Sequence, residues 1–317
     1  MGLWQRAMIA LATNEPLGHV AQGRAVLAGL SKRFVGGNDL DDAVETARRL
    51  KASDRLASLF FLGEYVSDNR VVARTVREYE AAAPALAAAG LDVHVSVDPT
   101  AIGSLLGGYI WRDNALQIAR AVASAGKGLP ADRVVMMLDM EDSSVTDATI
   151  SMYEELRAAG LPAAVTLQAY LHRYEPHIRR CVVPGGRIRL VKGALAEPAE
   201  KAATSRDEID RRFRVATELM LAPAVRESGF YPIFATHDVS MIRHIRAIAR
   251  RNGWEPGAYE FEMLYGVRPR LQERLATVER LRLYVPFGEA WWPYAVRRVG
   301  ENPRNVALLA RALVGSK

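Results

Sequence analysis

Two arginines late in the chain stand where they could bind a carboxylate. The segment YAVRRVGEN places four side chains at i, i+3, i+4 and i+7, namely Tyr294, Arg297, Arg298 and Glu301. Residues at this spacing share one face of a helix. Both guanidinium groups are long enough to converge on one carboxylate, a strong charge-assisted contact, and Glu301 can hold either of them. A solvated ion network, at about 0.3–0.5 kcal/mol per pair, is the alternative interpretation.

Polar residues also follow the short apolar segments of the chain. They are Gly63 and Glu64, Asp98, Asp139 and Glu141, Gln168, Lys192 and Gly193, Thr236 and His237, Glu262 and Tyr265, and Tyr284 and Gly288. A ring of such side chains predicts a site for a polar ligand. Its single histidine argues against a multi-histidine metal site, and no metal is expected. For Asp98 and Asp139 a helix N-cap or a loop salt bridge remains an alternative.

The segment RIRLVKGA contributes two cations, Arg189 and Lys192. Residues three apart on a strand point to opposite faces, but Lys192 falls where the strand ends and could turn towards the same ligand. Two cations suit a phosphate or an electron-rich ring. Gly193 and Ala194 follow and leave room for a close backbone approach. Ordinary solvated charge is the alternative.

Eight apolar runs, each followed by a helix-like segment, would position these residues. The runs are LASLFFLGE, LDVHVSVDPT, RVVMMLDMED, AAVTLQAY, RIRLVKGA, FYPIFATHD, YEFEMLYG and LRLYVPFG. Apolar runs of this length suit parallel strands buried on both faces. The eightfold alternation predicts an α/β fold, a distorted (β/α)8 TIM-type barrel with the chemistry at the strand C-termini. Helical periodicity before residue 55 predicts a helical N-terminal arm over 1–55 and a barrel over 56–317.

The composition argues against a disordered, a nucleic-acid-binding and a disulfide-stabilised protein. The 317 residues are 50% hydrophobic, which excludes wholesale disorder. Lysine and arginine number 42 and aspartate and glutamate 36, a net charge of +6. The arginine pairs are scattered, so no nucleic-acid partner is expected. The one cysteine, Cys181, excludes an intrachain disulfide framework. No apolar run approaches a membrane span and the start lacks a signal-peptide layout, so we expect a cytoplasmic protein.

Several motifs together resemble the proline dehydrogenase family, in its compact monofunctional bacterial branch. They are LDMED, LQAYL, RLVKGA, FATHD, FEMLYGV and RLYVPFG–PYAVRR–EN, which occur in this order from about Leu62 to Asn305. The resemblance implies a distorted (β/α)8 barrel that binds FAD without covalent attachment. It implies oxidation of L-proline to pyrroline-5-carboxylate, with hydride moving to flavin N5. A quinone or another electron acceptor is then expected. If the acceptor is a quinone, the protein is expected to contact the membrane peripherally.

The same resemblance implies roles for individual residues. FAD would contact Gln168, Arg189, Val191, Lys192, Gly193, Ala194, Thr236, His237 and Glu262, with Arg189 beside flavin N5. The active-site residues would be Asp139, Tyr284 and Asp98. The substrate would contact Arg297, Arg298, Tyr284, Leu195 and Glu301, with the arginine pair on its carboxylate and Tyr284 against its ring.

Two positions depart from the family pattern. Asp98 stands where the family has a lysine, and Leu195 stands where it has a tyrosine near the flavin. The change at Asp98 reverses a charge near the predicted site. Three hypotheses follow: proline oxidation, oxidation of another amino, imino or hydrazino acid in a biosynthetic pathway, and a catalytically silent barrel. A phosphate-binding barrel of another class fits the fold but leaves the paired arginines unexplained.

Overall fold

Eight parallel strands close into a barrel in the computed structural model, which describes residues 33–63 and 66–300 except for the side chains at 297, 299 and 300. Each strand pairs with the next and β8 pairs with β1. The strands are β1 Leu56–Phe61, β2 Val93–Val97, β3 Val134–Leu138, β4 Ala163–Gln168, β5 Arg187–Val191, β6 Tyr231–Ala235, β7 Glu260–Leu264 and β8 Leu281–Phe287. The predicted barrel and its eight strands are confirmed.

Helices follow the strands and cover the barrel. In the described part of the chain they are α1 Leu40–Lys51, α2 Asn69–Ala88, α3 Gly108–Ala125, α4 Thr146–Ala158, α5 Tyr174–Cys181, α6 Arg206–Met220, α7 Pro223–Arg226, α8 Val239–Arg251, α9 Pro269–Ala276 and α10 Trp291–Gly300. Short 3₁₀ turns cover Thr100–Ile102 and Ala131–Arg133. None of these helices is both long and apolar enough to cross a bilayer.

Local sequence signals set several helix boundaries. Asp39 begins α1 by accepting a hydrogen bond from the Asp42 amide, and Asp238 begins α8 by accepting one from the Ser240 amide. Gly160 and Gly253 follow α4 and α8 in the left-handed conformation, which glycine adopts without a Cβ clash. Because Asp238 begins α8 directly after β6, its carboxylate stays at the rim of the barrel.

The two faces of the barrel sheet differ in chemistry. Outward-facing residues such as Leu59, Val95 and Leu190 are fully buried in the main hydrophobic core. The inner face carries many buried polar side chains: Ser58, His94, Ser96, Asp139, Thr166, Gln168, Arg189, Glu260, Glu262 and Arg282. The strands were correctly predicted to be buried on both faces, and this polar lining is what positions the site.

The N-terminal prediction is tested only in part. The segment DLDDAVETARRLKA forms helix α1 as expected, and Ala43, Ala47 and Leu50 of this helix join the barrel core. Residues 1–32 lie outside the described residues. The division of the chain at residue 55 therefore stays a prediction.

Candidate active site

A cavity of about 340 Å³ lies at the C-terminal ends of the strands. Most of the predicted site residues line it: Asp98, Asp139, Gln168, Arg189, Val191, Lys192, Gly193, Ala194, Leu195, His237, Glu262, Tyr284 and Arg298. Thr236 is not among its lining residues. Glu64 and Glu301 lie outside the described residues, and Arg297 belongs to α10 while its side chain is not described. The prediction of roles within this group stays open.

Arg189 of β5 is a buried cation at the inner end of the cavity. Its guanidinium donates to Thr166 Oγ1 at 2.9 Å, to Glu262 Oε1 at 2.7 Å and to Asp139 Oδ1. It is only 5% exposed. Burial alone would lower the pKa of Arg189, but the charges of Asp139 and Glu262 more than offset it and raise that pKa. The guanidinium is therefore permanently charged, and it neutralises two carboxylates in a dry interior.

Asp139 joins Arg189 to Tyr284. The Tyr284 hydroxyl donates to Asp139 Oδ2 at 2.8 Å, and the Arg189 guanidinium carbon lies 5.4 Å from the centre of the tyrosine ring. Burial raises the pKa of Asp139, while Arg189 and the hydrogen bond from Tyr284 pull it down. Burial, followed by the charges of Asp139 and Asp98, raises the pKa of Tyr284. Tyr284 thus stays a neutral hydroxyl donor, with its ring tilted against Phe60 at 5.0 Å.

Asp98 follows β2 directly and precedes a 3₁₀ turn. It is buried and lines the cavity. Pro99 is the residue at which the turn begins, and the turn has no side-chain cap. The negative charge of Asp98 raises the pKa of Tyr284, which lies at the inner end of the cavity. The structure thus brings Asp98 and Asp139 to the same cavity.

Lys192 reaches the rim of the cavity, where two carboxylates hold it. Its Nζ lies 2.5 Å from Asp210 Oδ1 of α6 and 2.9 Å from Asp238 Oδ2 at the start of α8. Burial alone would raise the pKa of Asp238, but hydrogen bonds from Lys192 and the Ser240 amide lower it to about 2. The sequence did not predict these two partners, because Asp210 lies within α6 and Asp238 is the N-cap of α8.

His237 and Gln168 both line the cavity, and each makes a hydrogen bond to the backbone. His237 Nε2 accepts a hydrogen bond from the Leu264 amide at 3.0 Å. Burial and the nearby charge of Arg298 lower the pKa of His237 to about 4, so the ring is neutral. Gln168 donates to the Glu141 carbonyl at 3.1 Å, and its Oε1 is buried without a partner among the described residues. Thr236 Oγ1 accepts a hydrogen bond from the Asp238 amide at 3.1 Å.

Gly193 lets the chain turn against the ring of Tyr170. Its φ is +105°, and a Cβ there would lie 2.3 Å from Tyr170 Cδ1. We expect Gly193→Ala to lower the free energy of unfolding by more than Gly257→Ala does, with the conformational strain alone costing about 1–3 kcal/mol. Gly257 is the matched control because its φ is +93° and nothing lies within 4 Å of its Cβ position. Urea denaturation of both variants measures the difference, and equal losses would contradict the crowding at Gly193.

Comparison with known proteins identifies the family. The family model described as "Proline dehydrogenase" matches residues 43–311. The chain belongs to the proline dehydrogenase family. Proline dehydrogenase 1 of Bacillus subtilis strain 168 is 32% identical over 311 residues, which cover 98% of this chain and 99% of the relative. Proline dehydrogenase of Deinococcus radiodurans is 28% identical over 315 residues and 98% of each chain.

Solved structures support the same fold. Proline utilization A (PutA) from Bdellovibrio bacteriovorus, inactivated by N-propargylglycine, superimposes with a TM-score of 0.79 at 19% identity. The match covers 98% of this chain and 36% of that one, so the chain spans about a third of the length of that protein. PutA from Corynebacterium freiburgense gives a TM-score of 0.70 at 21% identity. At these identities the likeness establishes the barrel fold alone.

Proline dehydrogenases are FAD-binding flavoenzymes, and the cavity fits a flavin in three respects. Gln168 Oε1 and Glu262 Oε2 are buried acceptors without partners among the described residues, which suits the N–H and O–H donors of a flavin. Gly193, which has no side chain, lines the cavity with its backbone. Arg298 lines the cavity and supplies a positive charge for an anionic group, whereas the charge of Lys192 is already neutralised by Asp210 and Asp238. The residues present therefore fit the cofactor of the family.

Proposed function

We propose that this member of the proline dehydrogenase family oxidises L-proline to pyrroline-5-carboxylate with bound FAD. The observation that carries the proposal is the buried group of Arg189, Asp139 and Tyr284 at the inner end of a cavity on the strand C-termini. In a (β/α)8 barrel this end carries the chemistry. FAD supplies the hydride acceptor when it is bound.

In this proposal the protein binds and orients the substrate. Arg298 lines the cavity from α10 and is placed to receive the carboxylate, with Arg297 as its predicted partner. The Tyr284 ring, fixed by its hydrogen bond to Asp139, packs against the substrate ring. Proline loses a hydride from carbon and a proton from nitrogen, so only an uncharged amine can lead to the imine. The buried side chains exclude water from the inner end of the cavity.

The roles proposed for cofactor contacts follow the same geometry. Gln168, Glu262, His237 and the chain around Gly193 line the cavity and would hold FAD, with Arg189 on its N5 side. Lys192 is proposed to act at the rim with its two aspartates. Thr236 is proposed to shape this rim through its bond to the Asp238 amide at 3.1 Å.

A product assay tests the proposed reaction. Purified protein is incubated with L-proline, FAD and an artificial electron acceptor, and the products are separated by mass spectrometry. We expect a compound two hydrogens lighter than proline, formed in step with reduction of the acceptor. D-Proline is the matched control, because its carboxylate and its ring cannot both occupy the same positions. Absence of this product at saturating L-proline would overturn the proposal.

A second candidate function rests on Asp98 and Leu195, which both line the cavity. A carboxylate at position 98 favours a substrate with an additional cationic or N–H-rich group, such as a hydrazino acid. The same assay with a panel of amino, imino and hydrazino acids distinguishes the candidates. A better substrate than proline, together with a gain in proline oxidation by Asp98→Lys, would support this candidate. Proline as the best substrate, with no gain from that variant, would remove its basis.

Family membership also implies a small amino-acid substrate and an electron acceptor. We propose a quinone as this acceptor and a cytoplasmic protein that meets the membrane peripherally. The resemblance of the motifs supports this proposal.

A further inference from the structure

A chain of hydrogen bonds runs from the site into the barrel interior. Ser96 bonds to Asp139, the Ser96 and Ser58 hydroxyl oxygens are 3.1 Å apart, and His94 Nδ1 lies 2.9 Å from Ser58 Oγ. All three side chains are at most 1% exposed. The pairing of β1 with β2 sets this arrangement, because Leu59 is opposite Val95 and so Ser58 is opposite His94.

The direction of the chain follows from counting protons. Ser96 Oγ accepts from Arg189 at 3.2 Å and has one proton of its own. An ionised Asp139 only accepts, so the Ser96 proton goes to Asp139. Ser58 must then donate to Ser96, since the Ser96 proton is already used. The remaining contact of Ser58 is with His94, whose Nδ1 must therefore be the donor.

The surroundings of His94 favour the same direction. Burial and the charges of four arginines lower the pKa of His94 well below its ordinary value, the arginines being Arg282, Arg189, Arg187 and Arg280. A neutral imidazole has one N–H. His94 Nε2 is buried and has no partner among the described residues. A proton on Nε2 would lack an acceptor and would lie in the field of these cations, whereas a bare Nε2 is attracted by them.

We propose that His94 is a positioning residue of this site. His94 donates its Nδ1–H to Ser58, so Ser58 donates to Ser96 and Ser96 donates to the Asp139 carboxylate. Asp139 then receives donors from Arg189, Tyr284 and Ser96, and its carboxylate is held in the orientation that fixes Tyr284. The consequence for catalysis rests on the proposed function, but the tautomer of His94 does not.

Nuclear magnetic resonance of the full chain labelled with ¹⁵N-histidine tests the tautomer. His94→Asn identifies the signal by its loss. We expect a protonated Nδ1, an unprotonated Nε2, and no titration between about pH 6 and 8. Ser58→Ala should move this signal, since Ser58 is its acceptor. A protonated Nε2, or a ring that titrates in this range, would overturn the proposal whether or not the protein oxidises proline.

The catalytic consequence is measured on the holoenzyme. In Ser58→Ala and His94→Leu the Ser96 hydroxyl is no longer directed to donate to Asp139, so the pKa of Asp139 should rise. The acidic limb of the pH–rate profile for flavin reduction should therefore move up by about 0.5–1 pH unit. His94→Asn, whose amide can donate in place of Nδ1, should restore the profile. His177→Gln is the matched control, because His177 is a buried histidine of α5 outside the barrel interior. An unchanged profile in Ser58→Ala at full flavin content would overturn the positioning role.

Discussion

Arg189→Met is expected to lower the free energy of unfolding by about 3–5 kcal/mol, the usual cost of removing one partner from a buried ion pair. The substitution leaves Asp139 and Glu262 buried without the cation that both now contact. The pKa of both carboxylates would then rise further, because burial already raises the pKa of each and the charge of Arg189 opposes that rise. Methionine fills a similar volume, so the loss reports on charge more than on packing.

Urea denaturation of the flavin-free protein measures this loss. Arg187→Met is the matched control on the same strand, because Arg187 donates to the Val134 carbonyl at 3.0 Å and should cost only about 1 kcal/mol. The triple variant Arg189→Met, Asp139→Asn, Glu262→Gln should recover part of the stability, since it removes the unpaired charges. Equal midpoints for Arg189→Met and Arg187→Met would contradict the assigned role of Arg189.

Arg298→Met is expected to lower kcat/KM for proline by about 100-fold. A charge-assisted contact to the substrate carboxylate is worth up to about 3 kcal/mol, and each 1.4 kcal/mol is a factor of about ten. The loss should fall mainly on KM, because the substrate carboxylate takes no part in the oxidation of the C–N bond and its contact with Arg298 stays the same during that step. Flavin content should change little if Arg298 serves the substrate.

Steady-state kinetics with an artificial acceptor measure this loss. Arg298→Lys keeps the charge but not the planar fork, so an intermediate loss is expected. Arg179→Met is the control, since Arg179 is an exposed residue of α5 paired with Glu175. A KM for proline unchanged in Arg298→Met would show that the carboxylate binds elsewhere.

Periodicity alone predicted the barrel because every strand is buried on both faces and each is followed by an amphipathic helix. Asp98 and Asp139 could be found because they directly follow β2 and β3, and Gln168 because it is the last residue of β4, since parallel strands end at the same edge of the barrel. Their shared cavity was therefore predictable from order along the chain. Their chemical roles came from the family resemblance instead.

The interior polar residues were harder to predict. Ser96 and Thr166 stand two positions before Asp98 and Gln168, so a period of two places them on the inner face. Serine and threonine in an apolar run give no signal of a partner, and their contacts with Arg189 depend on strands far apart in sequence. Lys192 was expected to face the ligand. Its contacts with Asp210 and Asp238 depend on how α6 and α8 pack, which local sequence does not encode.

The most direct test of the proposed reaction is anaerobic mixing of the purified, FAD-loaded protein with L-proline while flavin absorbance is recorded. We predict that the oxidised flavin band bleaches on mixing, that the bleaching saturates with proline, and that oxygen or a quinone restores the band. Flavin that stays oxidised at saturating L-proline, in protein that binds FAD, would contradict proline as the substrate. Protein that remains colourless after reconstitution with FAD would contradict the flavoenzyme itself.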